Sequence, residues 1–268
     1  MLQEFYGFTR MPFSKTIPTP ELFACRDQQE LAARLSFLVH DRGLGLVTGE
    51  VGCGKSTAVR AFTTTLDANR YCVVYLAQPT MGVTGLYYQL LLALNHKPLF
   101  GKARLVAQLR AALEDLLTNK HRVPVVIFDE AHLLPAALFD ELRLLLSTKM
   151  DSDSLAALLL VGPPELRRTL QLSVHEALSQ RLGVCYHLSP LDLQETIGYV
   201  RHQIRAAGYT TGPLFSDGAL TRIFEFTQGI PRRINQVCTT ALLVGVVDHK
   251  QVLDETDIRK AIASLEQE

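Results

Sequence analysis

The sequence carries no net charge, no pairing pattern among its cysteines and no long apolar run, and each absence removes a class of protein. Lys plus Arg (27) balance Asp plus Glu (27), so no global positive field draws the chain to nucleic acid or anionic lipid. Any such binding must come from a local patch or from assembly. The five cysteines, Cys25, Cys53, Cys72, Cys185 and Cys238, are scattered and never spaced C-x-x-C. That argues for reduced thiols in a cytoplasmic protein and against a zinc site or a disulfide frame. No apolar run approaches the roughly 18–20 residues of a membrane span, and Met1-Leu2-Gln3-Glu4-Phe5 is no signal peptide. Internal repeats and low-complexity tracts are missing as well. What is present is 268 residues, 47% of them hydrophobic, enough for one large domain or a domain with a small appendage.

The stretch Gly49-Glu50-Val51-Gly52-Cys53-Gly54-Lys55-Ser56 fits the phosphate-loop pattern G-x-x-x-x-G-K-[ST]. Upstream, Leu44-Gly45-Leu46-Val47-Thr48 suits a buried strand; downstream, Val59, Ala61, Phe62 and Leu66 mark a helix from Thr57 to Leu66. A strand, a glycine loop and a helix start together aim backbone N–H groups and a positive helix end at one point, where a di- or triphosphate sits. Gly49 through Thr57 are therefore the expected nucleotide contacts, with Lys55 on the outer phosphates and the Ser56 hydroxyl on magnesium. ATP and Mg2+ are the expected cofactors. The alternative is a glycine turn that happens to precede a helix.

A second motif follows. Val123-Pro124-Val125-Val126-Ile127-Phe128-Asp129-Glu130 is an apolar strand ending in two carboxylates, the other half of a nucleotide site. Asp129 is expected to hold magnesium through water, and Glu130 to orient and deprotonate the water that attacks the γ-phosphate. Two acids after a strand also suit a plain cap on the helix near Ala131.

Around these motifs the chain alternates strands and helices. Residues 1–25 form an aromatic and proline-rich arm, with Phe5-Tyr6-Gly7-Phe8, Pro12-Phe13 and Pro18 and Pro20 before Leu22-Phe23. Such an arm either covers core or walls a pocket for the nucleotide base. Leu31, Leu35, Leu38 and Val39 predict a helix from Arg26 to His40. Strands are expected at Tyr71–Leu76, Leu155–Gly162 and Val184–Leu188, and helices at Gly85–Asn95, Leu105–Leu117 and from about Pro164 to Gln180. Strands that are apolar throughout imply a parallel sheet covered on both faces, with ligands at the carboxyl ends of its strands. Beyond Pro190 only helical patterns remain, at Leu193 to Ile204, Ala219–Thr227, Arg232–Val247 and Asp254–Leu265. The expected division is an arm at 1–25, an α/β nucleotide-binding core at 26–190 and a helical lid at 191–268.

Both nucleotide motifs on an α/β core with a small helical domain behind it make the chain resemble an AAA+ ATPase, a P-loop NTPase, over nearly its whole length. More narrowly, Phe5-Tyr6-Gly7, Pro12-Phe13, Thr48-Gly49-Glu50-Val51-Gly52, Asp129-Glu130-Ala131-His132 and Leu160-Val161-Gly162 with Glu165-Leu166 are similar to the ExeA/GspA-type group, which is close to transposition ATPases of the TniB/TnsC kind. The resemblance implies that Arg181 is an arginine finger reaching a neighbouring subunit's nucleotide. Read on its own, Arg181 also suits a helix-end cation. The resemblance likewise implies that Arg232, in Gly229-Ile230-Pro231-Arg232, is the lid arginine called sensor 2, with Arg233 as the fallback. One position departs from the family: where sensor 1 is usually polar, Val161-Gly162 leads into Pro163-Pro164. Proline offers no side-chain hydrogen bond and no N–H. Either another group polarises the water, or hydrolysis is slow and needs a partner.

The function this implies is an ATP-dependent, DNA-binding regulator of DNA transposition. It would oligomerise as a ring or filament on double-stranded DNA, recruit or activate a transposase and be released by hydrolysis. His96, Lys97, Lys102 and Arg104 around Phe100, and Lys120, His121 and Arg122, are the basic clusters that would meet phosphates; each also suits an ordinary solvated surface. The alternative is an ExeA/GspA-like ATPase assisting secretion-channel assembly, a role usually tied to a membrane span and a wall-binding region. Neither occurs before Glu268, which favours the transposition reading at this stage. A third alternative is a nucleotide-gated scaffold with vestigial hydrolysis. Asp129-Glu130-Ala131-His132 also spells a helicase signature, but those enzymes need a second RecA-like domain, which about 80 residues of lid do not supply.

Overall fold

The computed structural model describes residues 2–14, 17–77, 79–146 and 153–266, with the backbone alone at 144–146. The chain-end limits of the expected arm and lid, Met1 and Glu268, lie outside these residues. In chain order the regular elements are α1 (Leu2–Tyr6), α2 (Arg26–Asp41), β1 (Leu44–Gly49), α3 (Lys55–Thr65), β2 (Tyr71–Leu76), α4 (Val83–Ala93), α5 (Lys102–Thr118) and β3 (Val123–Phe128). They continue with α6 (Ala136–Leu146), β4 (Ala157–Gly162), α7 (Pro164–Leu170), α8 (Glu176–Ser179), β5 (Leu182–Leu188), α9 (Leu193–Ala206), α10 (Asp217–Thr227), α11 (Pro231–Val247) and α12 (Glu255–Leu265).

Two compact units divide the chain. The larger comprises Asp27–Gly49 and Lys55–Leu188; the smaller comprises Met1–Arg26, Glu50–Gly54 and Ser189–Glu268. Among the described residues of the larger unit, five strands form one sheet in the order β2-β3-β4-β1-β5, and every pairing is parallel. This is the α/β architecture implied by apolar strands alternating with helices. β1 and β4 are flanked on both sides and buried at all six positions. β2, at the edge, buries only Val74 and Leu76 and leaves Val73 and Tyr75 exposed on the opposite face. One face of the sheet joins α4, α5 and α6 in a core containing Leu86, Tyr87, Leu109, Phe128, Phe139 and Leu158.

Inside that core Glu141 ties three helices together. Its carboxylate accepts from Tyr87 Oη at 2.6 Å and from Lys102 Nζ at 2.5 Å. Burial pushes the Glu141 pKa up, but the hydrogen bonds from Lys102 and Tyr87 outweigh it and hold the carboxyl below its ordinary value. A depressed carboxylate stabilises the fold fully above its unfolded pKa, and that contribution drains away as pH falls through the folded value. Glu141→Gln is therefore expected to cost about 1–2 kcal/mol at neutral pH. In urea titrations it should also show a shallower loss of stability than wild type on going to acid.

One sequence expectation is corrected in this unit. The single helix from Pro164 to Gln180 is two, α7 and α8, with a 3-10 turn at Ser173–His175 between them. Leu172 is extended (φ −64°, ψ 142°), and His175 is buried edge-on against Phe139 with ring centroids 4.9 Å apart. Tertiary burial of His175 thus overrides a helical pattern that Ser173 and β-branched Val174 support only weakly.

In the smaller unit α9 to α12 enclose a core of Val200, Leu220, Ile234, Cys238, Leu242 and Ile258. The starts of α9, α10 and α12 are capped by side chains: Asp192 and Asp254 form capping boxes with Glu195 and Asp257, and Ser216 accepts from Ala219 N–H. The arm belongs to this core, through Leu2, Tyr6, Phe8 and Phe13. Tyr6 Oη donates to Lys250 O at 3.2 Å and lies against Gly245, where a Cβ would come within 2.2 Å of the Tyr6 hydroxyl. Thr9 Oγ1 and N–H both reach Ala207 O, at 3.0 and 2.8 Å.

Candidate functional site

All five strands of the sheet run the same way, so their carboxyl ends share one edge, and both sequence motifs begin there. β1 ends at Gly49 and Lys55 opens α3. Lys55 is only 8% exposed, and its Nζ donates to Gly49 O at 2.8 Å. Keeping an ammonium out of water is costly unless it is hydrogen-bonded or faces an anion. Ser56, next along, is exposed, and Thr57 is half-buried.

Two strands away, with β4 between, β3 delivers Asp129 and Glu130. Asp129 is buried, and both of its carboxylate oxygens are held: Oδ2 accepts from Tyr75 Oη at 2.5 Å and Oδ1 from Glu130 N–H at 3.0 Å. Burial, then the hydrogen bond to Asp129, pushes the Tyr75 phenol well above its ordinary pKa, so it is a donor at neutral pH. Glu130 sits in the left-handed region at φ 53°, ψ 40°, a conformation that costs a non-glycine residue about 1–2 kcal/mol. His132 Nδ1 lies 3.4 Å from Glu130 Oε2. β4 ends at Gly162, and Pro163 follows with φ −71° and ψ 170° as the N-cap of α7. Proline therefore stands at the carboxyl end of the strand next to Asp129.

Arg181 occupies the turn immediately before β5, its N–H donating to Leu178 O at 3.0 Å. That is the amino end of the strand, the opposite edge of the sheet from Lys55 and Asp129. At about 3.3 Å per residue the separation along a seven-residue strand is about 20 Å. Arg181 and the carboxylates of its own chain are thus not brought together.

In the smaller unit the loop Glu50–Gly54 holds Gly52 and Gly54 at φ 91° each, and Cys53 N–H donates to Glu50 O at 3.2 Å. Positive φ at alternate positions turns successive N–H groups toward one side, the geometry of an anion nest. Arg232 N–H, in the first turn of α11, donates to Gly52 O at 3.2 Å, and the side chains of Arg232 and Arg233 are exposed. Arm residues Arg10, Met11, Ser14 and Ile17 line a cavity of about 240 Å³ with Gln203 of α9.

The donor set fits a hard cation. Ser56 offers a hydroxyl and Asp129 a carboxylate, oxygen ligands of the kind that hold Mg2+ alongside water and phosphate. Among the described residues there is no group of three or more His, Cys, Asp or Glu that could hold a metal by itself. The basic clusters separate on inspection. Lys120 pairs with Asp115 at 3.0 Å at the surface, and Arg122 donates to Tyr71 O at 3.0 Å. Lys97 and Arg104 are exposed beside Phe100, which is 95% exposed, whereas Lys102 is engaged by Glu141. No helix among the described residues is long and apolar enough to cross a membrane.

Sequence reasoning missed two features of the site. Tyr75 reads as an ordinary strand residue, and nothing local ties it to a carboxylate that lies 54 positions away. The backbone bond from Arg232 to Gly52 likewise spans two distant segments.

Comparison with known proteins agrees with this geometry. Residues 39–170 match the family described as AAA domain. The chain is 31% identical to General secretion pathway protein A of Aeromonas hydrophila, across 97% of its own length and 48% of that protein, so it spans about half the length of this relative. Its fold is that of Cdc6p from Pyrobaculum aerophilum, with a TM-score of 0.68 and 14% identity over 93% of this chain and 69% of that one. Drosophila ORC bound to DNA superposes with a TM-score of 0.67 and 18% identity over 98% of this chain and 65% of that one.

Proposed function

Since this chain is an AAA+ ATPase of the ExeA/GspA type, we propose that it binds and hydrolyses Mg2+–ATP at the carboxyl edge of its sheet and uses the ATP state to assemble on double-stranded DNA. The observation that carries this reading is the pair of motifs on one parallel sheet, Lys55 and Ser56 after β1 and Asp129 with Glu130 after β3. The loop Gly49 to Gly54 binds phosphate through its N–H groups, Lys55 neutralises the outer phosphates, and Ser56 and Asp129 hold the cation, with Thr57 in the same helix turn. Bound Mg2+ supplies charge neutralisation on the phosphate oxygens. Glu130 orients the attacking water and takes its proton. Arg232, with Arg233 as fallback, is assigned to the γ-phosphate of its own chain. Arg181, on the opposite edge of the sheet, serves the nucleotide of a neighbouring copy, so full activity requires a homo-oligomer. With Pro163 beside the carboxylates in place of a polar side chain, turnover by the isolated protein is slow.

At the finer level we read the protein as a cytoplasmic regulator of DNA transposition whose ATP-bound ring or filament recruits a transposase. The likeness in fold to DNA-bound ORC and the exposed Lys97 and Arg104 support contact with duplex DNA. A second reading, an ATPase assisting secretion-channel assembly, is favoured by the relative named General secretion pathway protein A, which aligns with 97% of this chain.

The discriminating measurement is binding to fluorescent duplex DNA without nucleotide and with ADP, ATP or a non-hydrolysable ATP analogue, with oligomer size followed in parallel. We expect salt-sensitive, sequence-tolerant binding and growth into large assemblies only in the ATP-like states. Each of Lys97→Ala and Arg104→Ala should weaken binding evenly across sequences and reduce the log–log salt slope by about 1. ATP binding with no DNA binding in any state rejects the DNA reading and leaves the secretion role.

A further inference from the structure

We infer that Tyr75 is a positioning residue for the magnesium site: it fixes the Asp129 carboxylate in the orientation from which that carboxylate holds the cation. The inference rests on the nucleotide site proposed above and names a residue outside both motifs. Strand register explains how Tyr75 gets there. β2 and β3 are parallel, with Tyr75 opposite Ile127. Side chains alternate between faces with a period of two, so Asp129 lies on the same face as Ile127, one diagonal step beyond Tyr75. A diagonal neighbour is out of reach for a short side chain and within reach of an aromatic one. Tyr75 Oη spans the gap and meets Asp129 Oδ2 at 2.5 Å.

The two bonds on Asp129 divide the labour. Oδ1 is held by the N–H of Glu130, the residue next in the chain, and Oδ2 by a phenol from the neighbouring strand. One bond alone leaves the carboxylate free to rotate about its terminal torsion, which is broad for Asp; two bonds to different oxygens stop it. Each carboxylate oxygen has about two lone-pair directions, so one remains on each for a cation-bound water. Tyr75 is 49% exposed on an edge strand and lies outside the packed core. Removing its hydroxyl therefore leaves the sheet's packing intact. The bond is placed to order a ligand rather than to hold the fold.

The test is a Mg2+ titration of binding of a fluorescent ATP analogue to wild type, Tyr75→Phe, Asp129→Ala and the double variant, with thermal unfolding recorded for each. For Tyr75→Phe we expect the Mg2+ concentration at half-saturation to rise about 3–10-fold, the magnitude of a single net hydrogen bond. Affinity measured in EDTA and the unfolding midpoint should stay as in wild type. In the Asp129→Ala background, which has no side-chain acceptor for the phenol, the same change should add no further shift, because the two residues act through one bond. A wild-type Mg2+ half-saturation in Tyr75→Phe, or a shift that persists when Asp129 is already changed, overturns the inference while the nucleotide site stands. Failure of wild type to bind the nucleotide at any Mg2+ concentration overturns the site and this inference together.

Discussion

Glu130→Gln should lower steady-state ATP turnover about 10²–10⁴-fold, the range expected when a general base is removed, while ATP is still bound. Glutamine keeps the length of the side chain and its ability to orient water through its carbonyl, but it cannot take a proton. The substitution also leaves the backbone at φ 53° as it was, since neither residue is better suited than the other to the left-handed region. The nearby His132, 3.4 Å from Glu130 Oε2, gives a control. If Glu130 acts only by pairing with His132, then His132→Ala should reproduce the whole loss. If Glu130 is the base, His132→Ala should leave most of the rate. Turnover of Glu130→Gln equal to wild type would remove Glu130 from the chemistry and favour the nucleotide-gated scaffold.

Lys55→Ala should abolish nucleotide binding at concentrations that saturate the wild type, an affinity loss of about 100-fold or more. Charge-assisted hydrogen bonds are worth about 1.5–3 kcal/mol each, and one ammonium serving two phosphates forfeits at least that. In the folded state Lys55 Nζ donates to Gly49 O, so its removal also bears on stability. Equilibrium dialysis with ATP, set beside urea unfolding of the same samples, separates the two effects. A loss of binding that merely tracks unfolding would argue against a direct phosphate contact. On the proposed function, in which assembly on DNA follows ATP binding, Lys55→Ala should also be blind to DNA in the titration described above.

Much of the molecule was legible in the sequence wherever a local pattern dictates a local structure. The glycine loop between Leu44-Gly45-Leu46-Val47-Thr48 and the helix at Lys55 is one case, since the two positions held at positive φ, Gly54 of the motif and Gly52 within the same stretch, are both glycine. The apolar run Val123–Phe128 closed by Asp129-Glu130 is another, as a strand buried on both faces has no room for polar residues until it ends. The helical pattern from Pro164 to Gln180 failed because the break at Leu172 is set by where His175 can be buried against Phe139, a residue on another helix. The arm was left between two uses by its sequence, and its aromatic residues Tyr6, Phe8 and Phe13 lie in the core of α9 to α12.

By itself, then, the sequence determined the element types, the parallel α/β class, the two nucleotide motifs and the residues in them, because each depends on a few adjacent side chains and on backbone preferences that act over one or two turns. Only the tertiary structure decided which strands are neighbours, that Arg181 stands at the far edge from the carboxylates of its own chain, and that Tyr75 holds Asp129. Those facts follow from the register of β2 on β3 and from the order of strands in the sheet. Register and order are chosen by the burial of whole faces against one another, a sum over many distant contacts that leaves no mark on any single stretch of the chain.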